Sequence, residues 1–122
     1  MLESALRETR WISQAIAAGD RRSYLVALVT IDPDEAPKLA EQLGVSADPA
    51  SMATDEKVRD AIWKDIEQVN QRFARIEQIK RFAILPRDLS QEEGELTPTL
   101  KVKRSVVYEK YSPAVEGLYS GQ

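Results

Sequence analysis

The chain has 122 residues, a net charge of −3 and a pI of about 5.1, and it contains neither cysteine nor histidine. This length allows one domain, and the missing side chains exclude disulfides, thiol catalysis, Cys/His zinc sites and any Ser-His or Cys-His dyad. The acidic pI argues against a nucleic acid partner, and the absence of a bilayer-length apolar run or a secretory signal predicts a cytoplasmic protein.

The first third of the chain predicts a short helix and a β-hairpin. The apolar spacing in residues 2–9 indicates the helix, and residues 13–18 form the first predicted strand. Residues 19–22 (GDRR) are a predicted turn. Residues 24–31 (YLVALVTI) are apolar on both faces and rich in β-branched side chains, so we expect them to form a central strand.

Helix signals dominate the middle of the chain. Asp32 is a predicted N-cap with Pro33 at the first helical position, and Gly44 is predicted to end this helix. Residues 45–53 are a predicted loop. Thr54 is the predicted N-cap of the next helix.

A long amphipathic stripe follows. Its apolar residues recur at spacings of four, four, three, four and three, which predicts a helix of about five turns. They are Val58, Ile62, Ile66, Val69, Phe73 and Ile76.

The last part of the chain completes the predicted fold. Residues 79–85 are a third strand closed by Pro86, and residues 105–111 and 113–119 are short helical turns. No repeat or linker divides the chain, so we expect residues 1–122 to form a single α+β domain. Its small three-stranded sheet, made of one hairpin plus a later strand, is packed with helices.

Charged residues are unevenly distributed along the chain. Residues 72–87 hold five basic residues and one acidic residue, which indicates either a solvated surface or a face that meets phosphates or an acidic partner. Glu92, Glu93 and Glu95 have the oxygen ligands that magnesium prefers, but a charged loop beside a turn explains them without a metal. We therefore predict no metal site.

Residues 96–104 (LTPTLKVKR) place lysines just after a proline-stiffened turn. A loop lysine is a mobile point charge on a long stem, so it is either solvent-exposed without a role or suited to reach a site built elsewhere. The chain offers no nucleophile–base pair, and the residues alone do not predict a self-contained active site.

Several segments in order resemble the C-terminal subdomain of AMP-forming long-chain fatty acid–CoA ligases, which are adenylate-forming enzymes. These segments are residues 11–15, 19–22, 24–29, 32–34, 77–82 and 96–104.

The resemblance implies that a large N-terminal domain binds ATP, magnesium, the long-chain fatty acid and most of coenzyme A. The small C-terminal domain closes over it, supplies a lysine for adenylation and then rotates for thioester formation. In the family this lysine follows a proline, several residues and a glycine. Lys101 matches that position, with Leu100 where the glycine is usual, and Lys103 is the alternative. Lys103 and Arg104 are candidates for phosphate contacts.

On this resemblance we expect the large N-terminal domain to be absent from the 122-residue sequence, and the chain to be an inactive, detached lid with no cofactor of its own. The parent enzyme would be cytoplasmic or peripheral to a membrane. One alternative is a stand-alone α+β interaction module without a catalytic role, for which the basic residues of 72–87 would be the docking face. Another is a soluble domain whose resemblance is only structural.

Overall fold

A computed structural model describes residues 2–19 and 22–120 and confirms the predicted α+β class. Its elements in chain order are α1 (Leu2–Arg7), β1 (Ile12–Ala18), β2 (Leu25–Ile31), α2 (Ala36–Leu43), α3 (Pro49–Thr54), α4 (Glu56–Asn70), a 3₁₀ turn (Arg75–Glu77), β3 (Ile79–Ile84), α5 (Arg104–Lys110) and α6 (Ser112–Ser120).

The sheet has the strand order β1-β2-β3, with β2 in the centre as predicted. β1 and β2 are antiparallel and form the expected hairpin, and β3 runs parallel to β2. Residues 26–30 of β2 are all buried, because the strand has neighbours on both edges and helices on both faces. The predicted turn at residues 19–22 is described only at its ends, since Asp20 and Arg21 lie outside the described residues.

Two hydrophobic cores cover the two faces of the sheet. The larger core joins the sheet to α1, α2, α3 and α4, and it includes Ala27 and Val29 of β2. The smaller core lies beneath α5 and contains Leu28 of β2 together with Leu96 and Val107. Alternate residues of one strand thus enter opposite cores. The smaller core also holds Leu96, which begins the segment where the sequence places its candidate lysines.

The predicted five-turn helix is too long at its C-terminal end. α4 ends at Asn70, whose side chain accepts a hydrogen bond from the Ile79 N–H and donates one to the Ile79 carbonyl, both at 2.9 Å. Ile76 is 84% exposed. Although its spacing continues the apolar stripe, the contact between Asn70 and the start of β3 requires the chain to turn before Ile76.

The prediction of a loop over residues 45–53 is wrong, because residues Pro49–Thr54 form α3. The Asp48 carboxylate accepts a hydrogen bond from the Ser51 N–H at 3.1 Å, and Pro49 starts the helix. Only Met52 and Ala53 of this helix are buried. So short an element carries too few apolar positions to show a period.

Two predicted N-caps are also wrong. The carboxylate that caps α4 belongs to Asp55 rather than Thr54, and it accepts from the N–H groups of Lys57 and Val58 at 2.8 and 3.2 Å. Asp32 accepts from the Asp34 N–H at 2.8 Å in a turn that precedes α2, so Pro33 lies outside that helix. The predicted end of α2 is confirmed, since Gly44 adopts the left-handed conformation at φ 68°.

Candidate functional site

Residues 96–104, which we call the lysine loop, fold back on themselves as a small hairpin. Leu96 and Val102 form an antiparallel bridge. Inside it, the Thr97 N–H donates to the Lys101 carbonyl and the Leu100 N–H donates to the Thr97 carbonyl, both at 2.8 Å. The expected loop or extended segment around the proline is therefore confirmed, and its backbone is held by its own hydrogen bonds.

Lys101 has a fixed backbone and an exposed side chain. Its N–H donates to Thr97 Oγ1 at 3.0 Å, and its carbonyl accepts from the Thr97 N–H. The side chain is exposed, and its ammonium forms no ion pair within residues 2–19 and 22–120. The loop therefore presents the Lys101 ammonium at the end of a flexible side chain. The backbone of Lys101 is positioned by its hydrogen bonds to Thr97.

Glu95, immediately before the loop, is the centre of a buried ionic cluster. Its side chain is 0% exposed. Arg87 donates to both carboxylate oxygens at 2.8 Å, and the Lys110 ammonium lies 3.0 Å from one of them. The Tyr111 hydroxyl donates at 3.2 Å and the Ser90 N–H donates at 3.1 Å. We call these five residues the Glu95 cluster. They satisfy a carboxylate that would otherwise be costly to bury.

The cluster keeps Glu95 ionised. Burial by itself raises the pKa of Glu95, but the hydrogen bonds from Arg87, Lys110 and the Ser90 N–H outweigh it and lower the pKa to about 2. The Arg87 guanidinium has its own pKa raised, chiefly by the hydrogen bond to Glu95. Since the Glu95 carbonyl also accepts from the Lys103 N–H at 2.8 Å, the same residue anchors both ends of the lysine loop.

The charged-loop interpretation fits the exposed Glu92 and Glu93, but not Glu95, which is buried. Glu95 is occupied by cations, and Glu93 accepts from Lys110 at 3.2 Å. No group of three or more acidic side chains in the described part of the chain could hold a metal ion.

The C-terminal end of the lysine loop is tied to α1. Arg104 donates to one carboxylate oxygen of Glu3 and to the Tyr108 hydroxyl, the latter at 3.2 Å. The other oxygen of Glu3 accepts from the Ala17 N–H at 2.7 Å. The hydrogen bond to Glu3 raises the pKa of Arg104. Both Lys103 and Arg104 are exposed, but the Arg104 side chain is engaged by Glu3 and Tyr108. A phosphate contact by either residue stays a prediction.

Sequence reasoning treated the basic residues of 72–87 as one group, but the structure divides them. Arg87 belongs to the Glu95 cluster, and Arg81 donates to the Leu118 carbonyl at 3.1 Å. Arg72, Arg75 and Lys80 are exposed. The Glu95 cluster itself was missed, because Lys110 and Tyr111 follow Glu95 only after the lysine loop and the members share no periodic pattern.

The sequence of the whole chain matches one protein family. Residues 1–122 match the family described as "AMP-binding enzyme C-terminal domain". The chain belongs to this family. The residues that carried the resemblance, including the lysine loop, therefore lie within a domain type found in adenylate-forming enzymes.

Curated relatives carry the name of one enzyme class. The chain is 39% identical over 122 residues to the long-chain-fatty-acid–CoA ligase FadD15 of Mycobacterium tuberculosis, covering 98% of this chain and 20% of the relative. It is 36% identical over 138 aligned positions to the human long-chain-fatty-acid–CoA ligase ACSBG1, covering 98% of this chain and 19% of the relative. The chain thus spans about a fifth of the length of these relatives.

Solved structures support the fold. The chain superimposes with a TM-score of 0.78 on the adenylation domain of a carboxylate reductase from Mycobacterium chelonae, with 23% sequence identity over 98% of this chain and 17% of that chain. At this identity the likeness shows the fold alone. None of the helices in residues 2–19 and 22–120 has the length and apolarity needed to cross a bilayer.

Proposed function

We propose that this chain is the C-terminal domain of a long-chain fatty acid–CoA ligase and that Lys101 is its adenylation lysine. The observation that carries the proposal is the presentation of Lys101, whose exposed ammonium forms no ion pair among the described residues and whose backbone is held at both its N–H and its carbonyl. The names of the relatives supply the substrate class.

The chemistry of adenylation suits such a group. The fatty acid carboxylate attacks the α-phosphorus of ATP, a new C–O–P linkage forms, and pyrophosphate leaves with the electrons of the broken P–O bond. The fatty acid carboxylate and the α-phosphate of ATP are both anionic, and negative charge moves from the carboxylate towards the departing pyrophosphate during transfer. A lysine ammonium placed between the carboxylate and the phosphate offsets their repulsion, and one such donor is typically worth about 10²–10³-fold in rate.

The other partners of the proposed reaction belong to the rest of the ligase. An N-terminal adenylation domain would bind ATP, the fatty acid and coenzyme A, and the present domain would close over it. Magnesium, which accompanies ATP in the family, is assigned no ligand in this chain, because the described residues contain no suitable acidic cluster. Rotation of the domain between the two half-reactions would then carry Lys101 away before thioester formation.

In the full-length ligase, Lys101→Ala is expected to lower fatty acid adenylation about 10²–10³-fold. Thioester formation from supplied acyl-adenylate should be largely retained, because the lysine acts only in the first half-reaction. The two half-reactions are measured separately, by fatty acid-dependent pyrophosphate release and by coenzyme A-dependent consumption of acyl-adenylate.

Lys103→Ala is the matched control, since Lys103 is an exposed lysine in the same loop. It should lower adenylation far less than Lys101→Ala, because Lys103 is a candidate for a phosphate contact and not for the bridge between the two reacting anions. Loss of adenylation in the Lys103 variant but not in the Lys101 variant would move the role to Lys103. Equal loss of both half-reactions in Lys101→Ala would indicate a folding defect instead.

The purified 122-residue chain is expected to form no acyl-adenylate, because the proposal places ATP and the fatty acid on another domain. The measurement is pyrophosphate release with a long-chain fatty acid, ATP and magnesium. Release that depends on the fatty acid would contradict the division of labour between the two domains.

A further inference from the structure

Leu100, at the tip of the lysine loop, has an unusual backbone conformation. Its φ is 64°, and it is the one non-glycine residue with positive φ in the described part of the chain. The hydrogen bonds from Leu100 N–H to the Thr97 carbonyl and from Thr97 N–H to the Lys101 carbonyl belong to a hairpin loop that closes with a left-handed residue. Glycine suits that position because it has no Cβ to clash.

The side chain of Leu100 is also unfavourably placed for the chain on its own. It is 61% exposed, and it is a member of neither hydrophobic core. A left-handed leucine costs stability relative to glycine, and an exposed leucine gains nothing from burial. A backbone cost without a compensating gain from burial therefore falls on the residue next to Lys101. Such an outlier indicates a function outside the fold itself.

The base and the tip of the lysine loop differ in how they are held. The base is fixed by the Glu95 cluster and by the Leu96–Val102 bridge. Within the described residues, the hydrogen bonds of the tip all run between members of residues 97–101, and the ammonium of Lys101 is carried on a flexible stem. A precise position for that ammonium in a closed active site requires a contact at the tip.

We propose that Leu100 is a positioning residue for Lys101, whose side chain docks on an apolar surface of the substrate-binding domain in the closed adenylation state. This inference rests on the proposed function. The relatives are about five times as long as this chain. The rest of such a protein is long enough to form a domain with an apolar surface for Leu100. Burial of Leu100 there would occur only on closure and would stabilise the state in which Lys101 acts.

The test compares Leu100→Asn with Leu100→Met in the full-length ligase. Asparagine tolerates the left-handed conformation but is polar, whereas methionine keeps the apolar contact and the same backbone cost. Leu100→Asn should lower kcat for adenylation about tenfold or more, the loss expected when one leucine is no longer buried. Leu100→Met should stay near the wild-type rate. Thioester formation from supplied acyl-adenylate and the KM for ATP should not change in either variant.

Two further readouts separate this role from others. The thermal unfolding midpoint of the 122-residue chain carrying Leu100→Asn should equal or exceed that of the wild type, and a lower midpoint would overturn the proposal in favour of a structural role. The adenylation loss should be the same for short and long fatty acids. A loss confined to long acids would overturn domain docking and indicate contact with the acyl chain.

The outcome also distinguishes this inference from the function on which it rests. Wild-type adenylation by Leu100→Asn, together with its loss in Lys101→Ala, overturns the role of Leu100 and leaves the proposed function standing. Wild-type adenylation by both variants overturns both.

Discussion

Glu95→Gln is expected to destabilise the chain by about 3 kcal/mol, the lower end of the cost of breaking a buried ion pair. The carboxylate is 0% exposed and holds two cations, Arg87 and Lys110. In the variant, the glutamine side chain replaces one acceptor oxygen by an NH₂ group, so Arg87 and Lys110 lose the negative charge and one of the acceptors that they contact. The lower end of the range applies because the Arg87 side chain, at 37% exposure, regains part of its hydration.

The same residue predicts a specific dependence on pH. The pKa of Glu95 is about 2 in the folded chain against an ordinary value of 4.5, so as the pH falls the carboxyl is protonated in the unfolded chain at a higher pH than in the folded one. The stabilisation is complete above pH 4.5 and is lost as the pH falls towards 2, with a total of about 3 kcal/mol. Urea unfolding at a series of pH values measures this loss, and Glu95→Gln should flatten it.

Glu93→Gln is the matched control for both effects. Glu93 also contacts Arg87 and Lys110, at 3.5 and 3.2 Å, but its side chain is 53% exposed. Removal of so exposed a pair should change stability by less than about 1 kcal/mol. Parallel pH profiles for the wild type and Glu95→Gln would show that burial of this carboxylate does not govern acid unfolding.

Ile66→Ala is expected to lower the free energy of unfolding by about 2–5 kcal/mol, the range for large-to-small changes in a core. Ile66 is 0% exposed in the larger core. Ile76→Ala, ten residues later in the same sequence stripe, should change stability by no more than about 0.5 kcal/mol, because Ile76 is 84% exposed. Denaturant unfolding of both variants measures the difference. Similar losses from both would mean that the stripe is buried over its full length.

Some features set by local chemistry were predictable from the sequence, although the caps of α3 and α4 were not. The apolar run of β2 predicted its central position, and Gly44 predicted the end of α2 because a left-handed residue closes a helix there. Features set by tertiary contacts were not predictable. Asn70 ends α4 through hydrogen bonds to Ile79. The residues between them contain no sequence pattern that predicts this contact.

The candidate site divides in the same way. The lysine loop was predicted from its proline and from the resemblance, and the structure confirms a loop with an exposed Lys101. The support beneath it was not predicted. Glu95 stands among other glutamates in a polar segment, which favoured exposure, whereas its partners Arg87 and Lys110 lie on opposite sides of the loop in sequence.

The parallel pairing of β2 with β3 also sets the order in which the chain can fold during synthesis. β1 and β2 can pair as soon as both have left the ribosome, but β3 follows only after residues 32–78. Until then one edge of β2 is open to pairing with another nascent chain. Residues 32–67 emerge in that interval with ten acidic and four basic side chains. Their net negative charge makes unfinished chains repel one another until β3 pairs with the open edge of β2.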